Sequence, residues 1–168
     1  VTVAVVPGSF DPITCGHVEI VKRAAKLFDR VVVAVYARPK KNIMFSLDER
    51  LDMVRESLKD ENRVQVERFD GLVATFARDV GADVLVRGLR AVSDFESEFQ
   101  QSTMNRQMAP GLEVICMFAS MNFGFLSSSL IKDIAENGGD VAGMVPAPVA
   151  RRLRELHQGI AMSVPSKR

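Results

Sequence analysis

Four short stretches of this chain carry side chains that bind or polarise anions: Ser9 to His17, Pro39 to Lys41, Arg87 to Arg90, and Phe123 to Ser129. Together they offer one histidine, lysines, two arginines and a serine cluster, with no nucleophile paired to a general base. That inventory suits phosphate chemistry in which cations and N–H donors stabilise charge and no covalent enzyme intermediate forms. Taken singly, each stretch also has a purely structural reading. His17 can be a packing residue, Lys40 and Lys41 a solvated loop, Arg87 and Arg90 partners of Asp94 or Glu98, and Ser127 to Ser129 a helix cap. Their positions favour function, because each stretch lies just beyond an apolar run that reads as a strand.

Strands are expected at residues 2–6, 30–37, 63–69, 83–86 and 114–118. Val31 to Val35 is a continuous β-branched and apolar run, as in a strand covered on both faces; Val64 and Val66 alternate with polar neighbours, as at a sheet edge. Between the strands, helical spacing puts Ile20, Val21, Ala24, Leu27 and Phe28 on one side of a helix starting at Gly16, with Lys22, Arg23 and Lys26 opposite. Ser46-Leu47-Asp48-Glu49 reads as a capping box opening a helix to about Lys59. Shorter helical patterns follow from Leu72 to Gly81, from Val92 to Met108, after Ser127, and from Pro146 to about His157. The Val92 to Met108 segment is polar with sparse apolar positions, suiting a helix against a cleft or another subunit.

Strands alternating with helices predict an α/β fold: a Rossmann-like, doubly wound, five-stranded parallel sheet in one domain over 1–158, with 159–168 as a C-terminal tail. Ligands of such sheets gather beyond the carboxyl ends of the strands, which places all four stretches on one rim. In the first strand–loop–helix unit, the free N–H groups at the start of the helix near Gly16 are the expected seat of a phosphate.

Composition narrows the classes. Lys plus Arg number 22 against 21 Asp plus Glu over 168 residues, which argues against a diffuse electrostatic grip on nucleic acid or an acidic membrane. No apolar run is long enough to span a bilayer, and the first residues lack a signal pattern, so the chain reads as soluble and cytoplasmic. Cys15 and Cys116 have no framework spacing, and His17 and His157 lie far apart with no metal-ligand pattern, so any metal is expected to arrive with the substrate.

The stretch Pro7-Gly8-Ser9-Phe10-Asp11-Pro12-Ile13-Thr14-Cys15-Gly16-His17 resembles the opening (T/H)xGH motif of the nucleotidylyltransferase superfamily. Arg87-Gly88-Leu89-Arg90, Asp94-Phe95-Glu96 and Ser127-Ser128-Ser129-Leu130-Ile131-Lys132 make it most similar to the bacterial phosphopantetheine adenylyltransferases, from the first strand to about His157. The resemblance implies reversible transfer of AMP from ATP, with Mg²⁺, to 4′-phosphopantetheine, giving dephospho-coenzyme A and pyrophosphate. It further implies a homohexamer and feedback inhibition by coenzyme A.

By motif position, His17 stabilises the transition state. Ser9, Phe10, His17, Gly88, Leu89, Arg90, Glu98, Phe123, Gly124, Phe125, Leu126, Ser127, Ser128 and Ser129 contact ATP, while Ser9, Lys41, Val73 and Arg87 contact the acceptor. The chain departs from the family at Ser97, where relatives carry an aromatic, and at Phe123, where they carry tryptophan or tyrosine. Cys15 also departs, and beside a helix start it is expected to be an accessible, somewhat activated thiol. A related transferase acting on nicotinate mononucleotide or a small phosphorylated alcohol, and a non-catalytic nucleotide or coenzyme A sensor, are the competing readings.

Overall fold

The computed structural model describes residues 1–40 and 42–163 of the chain. Five parallel strands, β1 (Val3–Gly8), β2 (Arg30–Tyr36), β3 (Val64–Phe69), β4 (Val84–Leu89) and β5 (Glu113–Phe118), form one sheet in the order β3-β2-β1-β4-β5. The chain winds outward one way from β1 to β3 and then returns to place β4 on the other side of β1, so the winding reverses between β1 and β4. This is the doubly wound Rossmann-like arrangement expected.

Strand periodicity decides what lies on each face. Ala4, Val6, Val31, Val33, Val35 and Val86 point to one side, into a core shared with helices α1 (Cys15–Leu27), α2 (Leu47–Ser57), α5 (Ser128–Glu136) and α6 (Ala147–Ser163). Val3, Val5, Val32, Ala34 and Leu85 point to the other, against α3 (Val73–Asp79) and the segment of Ala109 and Leu112 that follows α4 (Val92–Met108). Val31 through Val35 are all fully buried, as their unbroken apolar run requires. Each such valine stabilises the fold by about 1.5–3 kcal/mol relative to exposure.

Local signals set several boundaries. The Ser46 N–H donates to Glu49 Oε2 at 2.9 Å and the Glu49 N–H to Ser46 Oγ at 3.3 Å, the reciprocal box read from the sequence. Strand β1 runs on through Pro7 and Gly8 rather than ending at Val6, because both pair in register with Ala34 and Val35 of β2, and three further readings also differ from expectation. Strand β4 does not end at Val86: Arg87, Gly88 and Leu89 pair in register with Cys116, Met117 and Phe118, and this ladder outweighs their poor strand propensity. Leu27 is exposed rather than on the packed side of α1, because the chain leaves the helix at Phe28, which takes the buried place. Helix α6 runs on past His157 to Ser163, into the stretch expected as a tail. Helix α4 spans the expected residues but buries none of them within this chain.

Candidate active site

The reversal of winding leaves a seam. Strand β1 pairs with β2 as far as Gly8, and β4 pairs with β5 as far as Leu89, yet β1 pairs with β4 only at Ala4↔Val84 and Val5↔Leu85. Beyond that point the two strands diverge and a cleft of about 730 Å³ opens at their carboxyl ends, within the usual range of roughly 300–1,000 Å³ for small-molecule sites. Ser9, Phe10, His17, Val73, Arg87, Gly88, Arg90 and Glu98 line it, as do Phe123, Leu126, Ser127, Ser128 and Ser129. Of the remaining expected residues, Leu89 is buried beneath the strand end, Phe125 is exposed, and neither it nor Gly124 borders the cleft. Lys41 lies outside the described residues.

His17 has a defined proton arrangement. It is the third residue of α1, and Thr14 caps that helix: the His17 N–H donates to Thr14 Oγ1 at 3.3 Å, while the Thr14 N–H donates to His17 Nδ1 at 3.0 Å. A backbone N–H can only donate, so Nδ1 presents its lone pair and the proton of the neutral ring resides on Nε2. Burial, followed by the charges of Arg90 and Arg87, lowers the imidazole pKa to about 4. The ring is therefore neutral at physiological pH, with an N–H available to a developing negative charge. Phe10 packs edge-on against it with ring centroids 5.3 Å apart, and Gly8 makes room, since a side chain there would meet the Phe10 ring at 3.0 Å.

Both arginines are held by carboxylates. Arg87 donates from Nε and Nη2 to Glu98 at 2.7 and 2.8 Å, and from Nη1 to the Pro7 carbonyl at 3.2 Å across the seam. Of its five N–H groups this leaves one on each terminal nitrogen for a ligand. Arg90 pairs with Asp94 and donates from Nη1 to the Leu126 carbonyl at 3.2 Å. Burial raises the Asp94 pKa, but hydrogen bonds from the Arg90 N–H, its guanidinium and the Ala91 N–H outweigh this, so the carboxyl sits below its ordinary value. The ion-pair reading of these arginines and their presence in the cleft thus hold together.

Free N–H groups stand at two helix starts, the expected one and a second. At the start of α1 the Cys15 N–H is taken by the Met144 carbonyl at 2.9 Å and the His17 N–H by Thr14, which leaves the Gly16 N–H, on the cleft, without an acceptor among the described residues. At the start of α5 the Leu130 N–H is capped by Ser127 Oγ and Ser128 Oγ donates to the Pro12 carbonyl, while the Ser128 and Ser129 N–H groups have no acceptor among the described residues. An anion fits there. Cys15 also differs from expectation: its side chain packs against the core and burial raises the thiol pKa, so the helix start does not activate it.

Three residues without an assigned role shape the site. Asp11, buried, accepts from the N–H groups of Met44 and Phe45 at 2.9 Å each and from Lys132 Nζ at 3.0 Å, tying the loop before α2 to α5. Lys132 lines the cleft beside Asp11, one turn beyond Ser128 on α5. Arg50, also buried, donates to the carbonyls of Ser9, Tyr36, Ala37 and Phe45. Asp11 and Lys132 stand inside motifs visible in the sequence, whereas nothing local marks Arg50 apart from neighbouring helix residues.

The family model for cytidylyltransferase-like proteins matches residues 5–134. Phosphopantetheine adenylyltransferase of Roseiflexus castenholzii is 46% identical over 156 residues, covering 93% of this chain and 98% of that protein. The enzyme of the same name from Heliobacterium modesticaldum is 49% identical over 156 residues, covering 93% of each.

The chain belongs to the phosphopantetheine adenylyltransferase family.

Among solved structures, a putative nicotinate-nucleotide adenylyltransferase from Vibrio parahaemolyticus superposes with a TM-score of 0.66 at 18% identity, over 91% of this chain and 98% of that one. That likeness concerns the fold alone. A phosphopantetheine adenylyltransferase family member is a nucleotidyltransferase, and the contents of the cleft agree: a neutral imidazole N–H, two arginines and a free helix start converge at the seam, with no nucleophile–base pair among the lining residues.

Proposed function

We propose that this chain transfers AMP from ATP to 4′-phosphopantetheine, giving dephospho-coenzyme A and pyrophosphate, reversibly, as a step of coenzyme A biosynthesis. The observation that carries the reading is the His17 ring, neutral and with its proton on Nε2 by virtue of the Thr14 N–H at Nδ1. The acceptor phosphate is already anionic at neutral pH, so no base need remove a proton. One of its oxygens attacks the α-phosphorus in line, the bond from that phosphorus to the β-phosphate oxygen breaks, and pyrophosphate leaves. A donor aimed at the α-phosphate stabilises the charge that builds there.

Arg87, with one N–H left on each terminal nitrogen, holds the acceptor phosphate together with Lys41, and Val73 meets the pantetheine arm. Arg90, Phe123 and the free N–H groups of Ser128 and Ser129 receive the nucleotide, with Glu98 approaching it as the partner of Arg87. Mg²⁺ enters on the phosphates of ATP as part of the substrate: Asp94 and Glu98 are committed to arginines and Asp11 to Lys132. Coenzyme A, sharing the acceptor's chemistry, occupies the same cleft as a feedback inhibitor.

Helix α4, with Phe95 and Phe99 more than half exposed at 56% and 61%, faces another copy of the chain in a cytoplasmic homohexamer; no helix among the described residues is long and apolar enough to cross a membrane.

Pyrophosphate release from MgATP is the test, with 4′-phosphopantetheine, nicotinate mononucleotide and glycerol 3-phosphate compared as acceptors. Release with phosphopantetheine alone, with dephospho-coenzyme A as product, is the expected result. Release with another acceptor and not with this one overturns the substrate, and binding of ATP without release from any acceptor overturns the enzyme. Sedimentation of the purified chain tests the hexamer.

A further inference from the structure

Arg50 is 1% exposed, and it forms no ion pair among the described residues. Its guanidinium is satisfied by main-chain carbonyls alone: Nη1 reaches Ser9 at 2.7 Å and Tyr36 at 2.8 Å, Nη2 reaches Ala37 at 3.3 Å, and Nε reaches Phe45 at 3.2 Å. These acceptors come from three separate places: the exit of β1, the exit of β2 and the loop before α2, of which Ser9 and Tyr36 line the cleft. A planar fork of five donors can span them, whereas an ammonium or an apolar side chain of similar length cannot.

The Ser9 contact has a particular consequence. In a trans peptide the C=O and the following N–H point to opposite sides, so anchoring the Ser9 carbonyl on Arg50, beneath the rim, turns the Phe10 N–H the other way. That N–H has no protein acceptor among the described residues, and both Ser9 and Phe10 line the cleft. Phe10 also has φ of 47°, a conformation that L side chains seldom adopt and that persists only where surroundings hold it. The Phe10 ring, buried at 3% exposure and packed on His17, holds one side of this residue; Arg50 holds the peptide on the other.

We propose that Arg50 is a positioning residue, which fixes the Ser9–Phe10 peptide so that the Phe10 N–H faces the reacting phosphate beside His17 as a second transition-state donor. The inference rests on adenylyl transfer as the reaction of this cleft. A donor of this kind acts mainly on the transition state, so its loss lowers kcat and leaves ground-state affinity nearly intact.

Arg50→Met keeps the length and apolar stem but removes the fork. It is expected to lower kcat about 100- to 1,000-fold, as for loss of one oxyanion-type donor, while the dissociation constant for MgATP changes no more than about threefold, the split that transition-state-only binding predicts. Arg50→Lys, which can still reach one carbonyl, is expected to recover part of kcat. Leu58→Ala, in the same core but away from the cleft, is the control for stability alone: it should lower the Tm comparably and leave kcat near wild type. Unchanged kcat in Arg50→Met, or an equal loss in Leu58→Ala, overturns the proposal.

Should Arg50→Met fail to fold, the wild-type chain labelled with ¹⁵N-phenylalanine provides the decision. Its Phe10 amide resonance, assigned with Phe10→Tyr, is expected to move downfield on binding α,β-methylene-ATP, and a stationary resonance at saturation refutes the placement. Failure of the parent reading shows differently, as a wild-type chain that releases no pyrophosphate.

Discussion

Lowering the pH from 7 to 5 tests the chemistry assigned to His17 without changing a residue. With a pKa of about 4, produced first by burial and then by Arg90 and Arg87, the ring carries a proton in about one molecule in a thousand at pH 7 and about one in ten at pH 5. An ordinary imidazole at 6.5 would be about a quarter charged at pH 7 and almost wholly charged at pH 5. Because the chain has two histidines, His17 and His157, ¹⁵N-histidine spectra suffice, with His157→Gln supplying the assignment. The expected result is a His17 ring protonated on Nε2 alone until the pH approaches 4.

Stability should follow the same proton. The folded pKa lies below the unfolded one, so the unfolded chain binds the extra proton first. The contribution is full above about pH 6.5 and is lost as the pH falls towards 4, by about 3 kcal/mol before water in the cleft screens it. Urea titrations at pH 7.5 and 4.5, compared with the same pair for His17→Gln, isolate it. A His17 resonance titrating between pH 6 and 7, or a proton on Nδ1, refutes both the electrostatic argument and the capping geometry.

Asp11→Asn should destabilise the fold by about 3 kcal/mol in denaturant titrations, since the amide cannot replace a carboxylate that accepts from Met44, Phe45 and Lys132 together. Arg87→Lys should raise the KM for the acceptor about tenfold with a smaller change in kcat, because a lysine offers no bidentate edge, and steady-state kinetics read the difference. Leu85→Ala, at a position only 1% exposed on the face away from α1, should cost about 2–5 kcal/mol of stability by calorimetry and leave both KM values unchanged.

What the sequence made legible was local or periodic. The Ser46–Glu49 box closes within one turn, and the valines of β2 announce burial by their continuity, so neither needs knowledge of the rest of the molecule. The motif residues His17, Arg87, Arg90 and Ser127 to Ser129 were placed on one rim by the general behaviour of parallel sheets, and the geometry brings them to one cleft. Long-range pairing defeated the remainder. Asp11 meets Phe45 across 34 positions and Arg50 meets Ser9 across 41, separations at which spacing carries no signal. Only the Gly16 N–H stays free at the start of α1 for the same reason, since the carbonyl that occupies the Cys15 N–H belongs to Met144. Strand β4 outruns its apolar stretch because, although Arg87 and Gly88 carry little strand signal, the ladder to β5 extends it through them.

The seam between β1 and β4 has a further consequence for how the molecule survives in a cell. Two ladders, one of three strands and one of two, are joined there by pairing at only two register positions, against six at each of the other junctions of the sheet. On the proposed reading, a nucleotide seated against both edges of the seam would tie the halves together, and its binding energy would add to the folding energy by mass action. On that reading the chain is most durable when saturated with nucleotide.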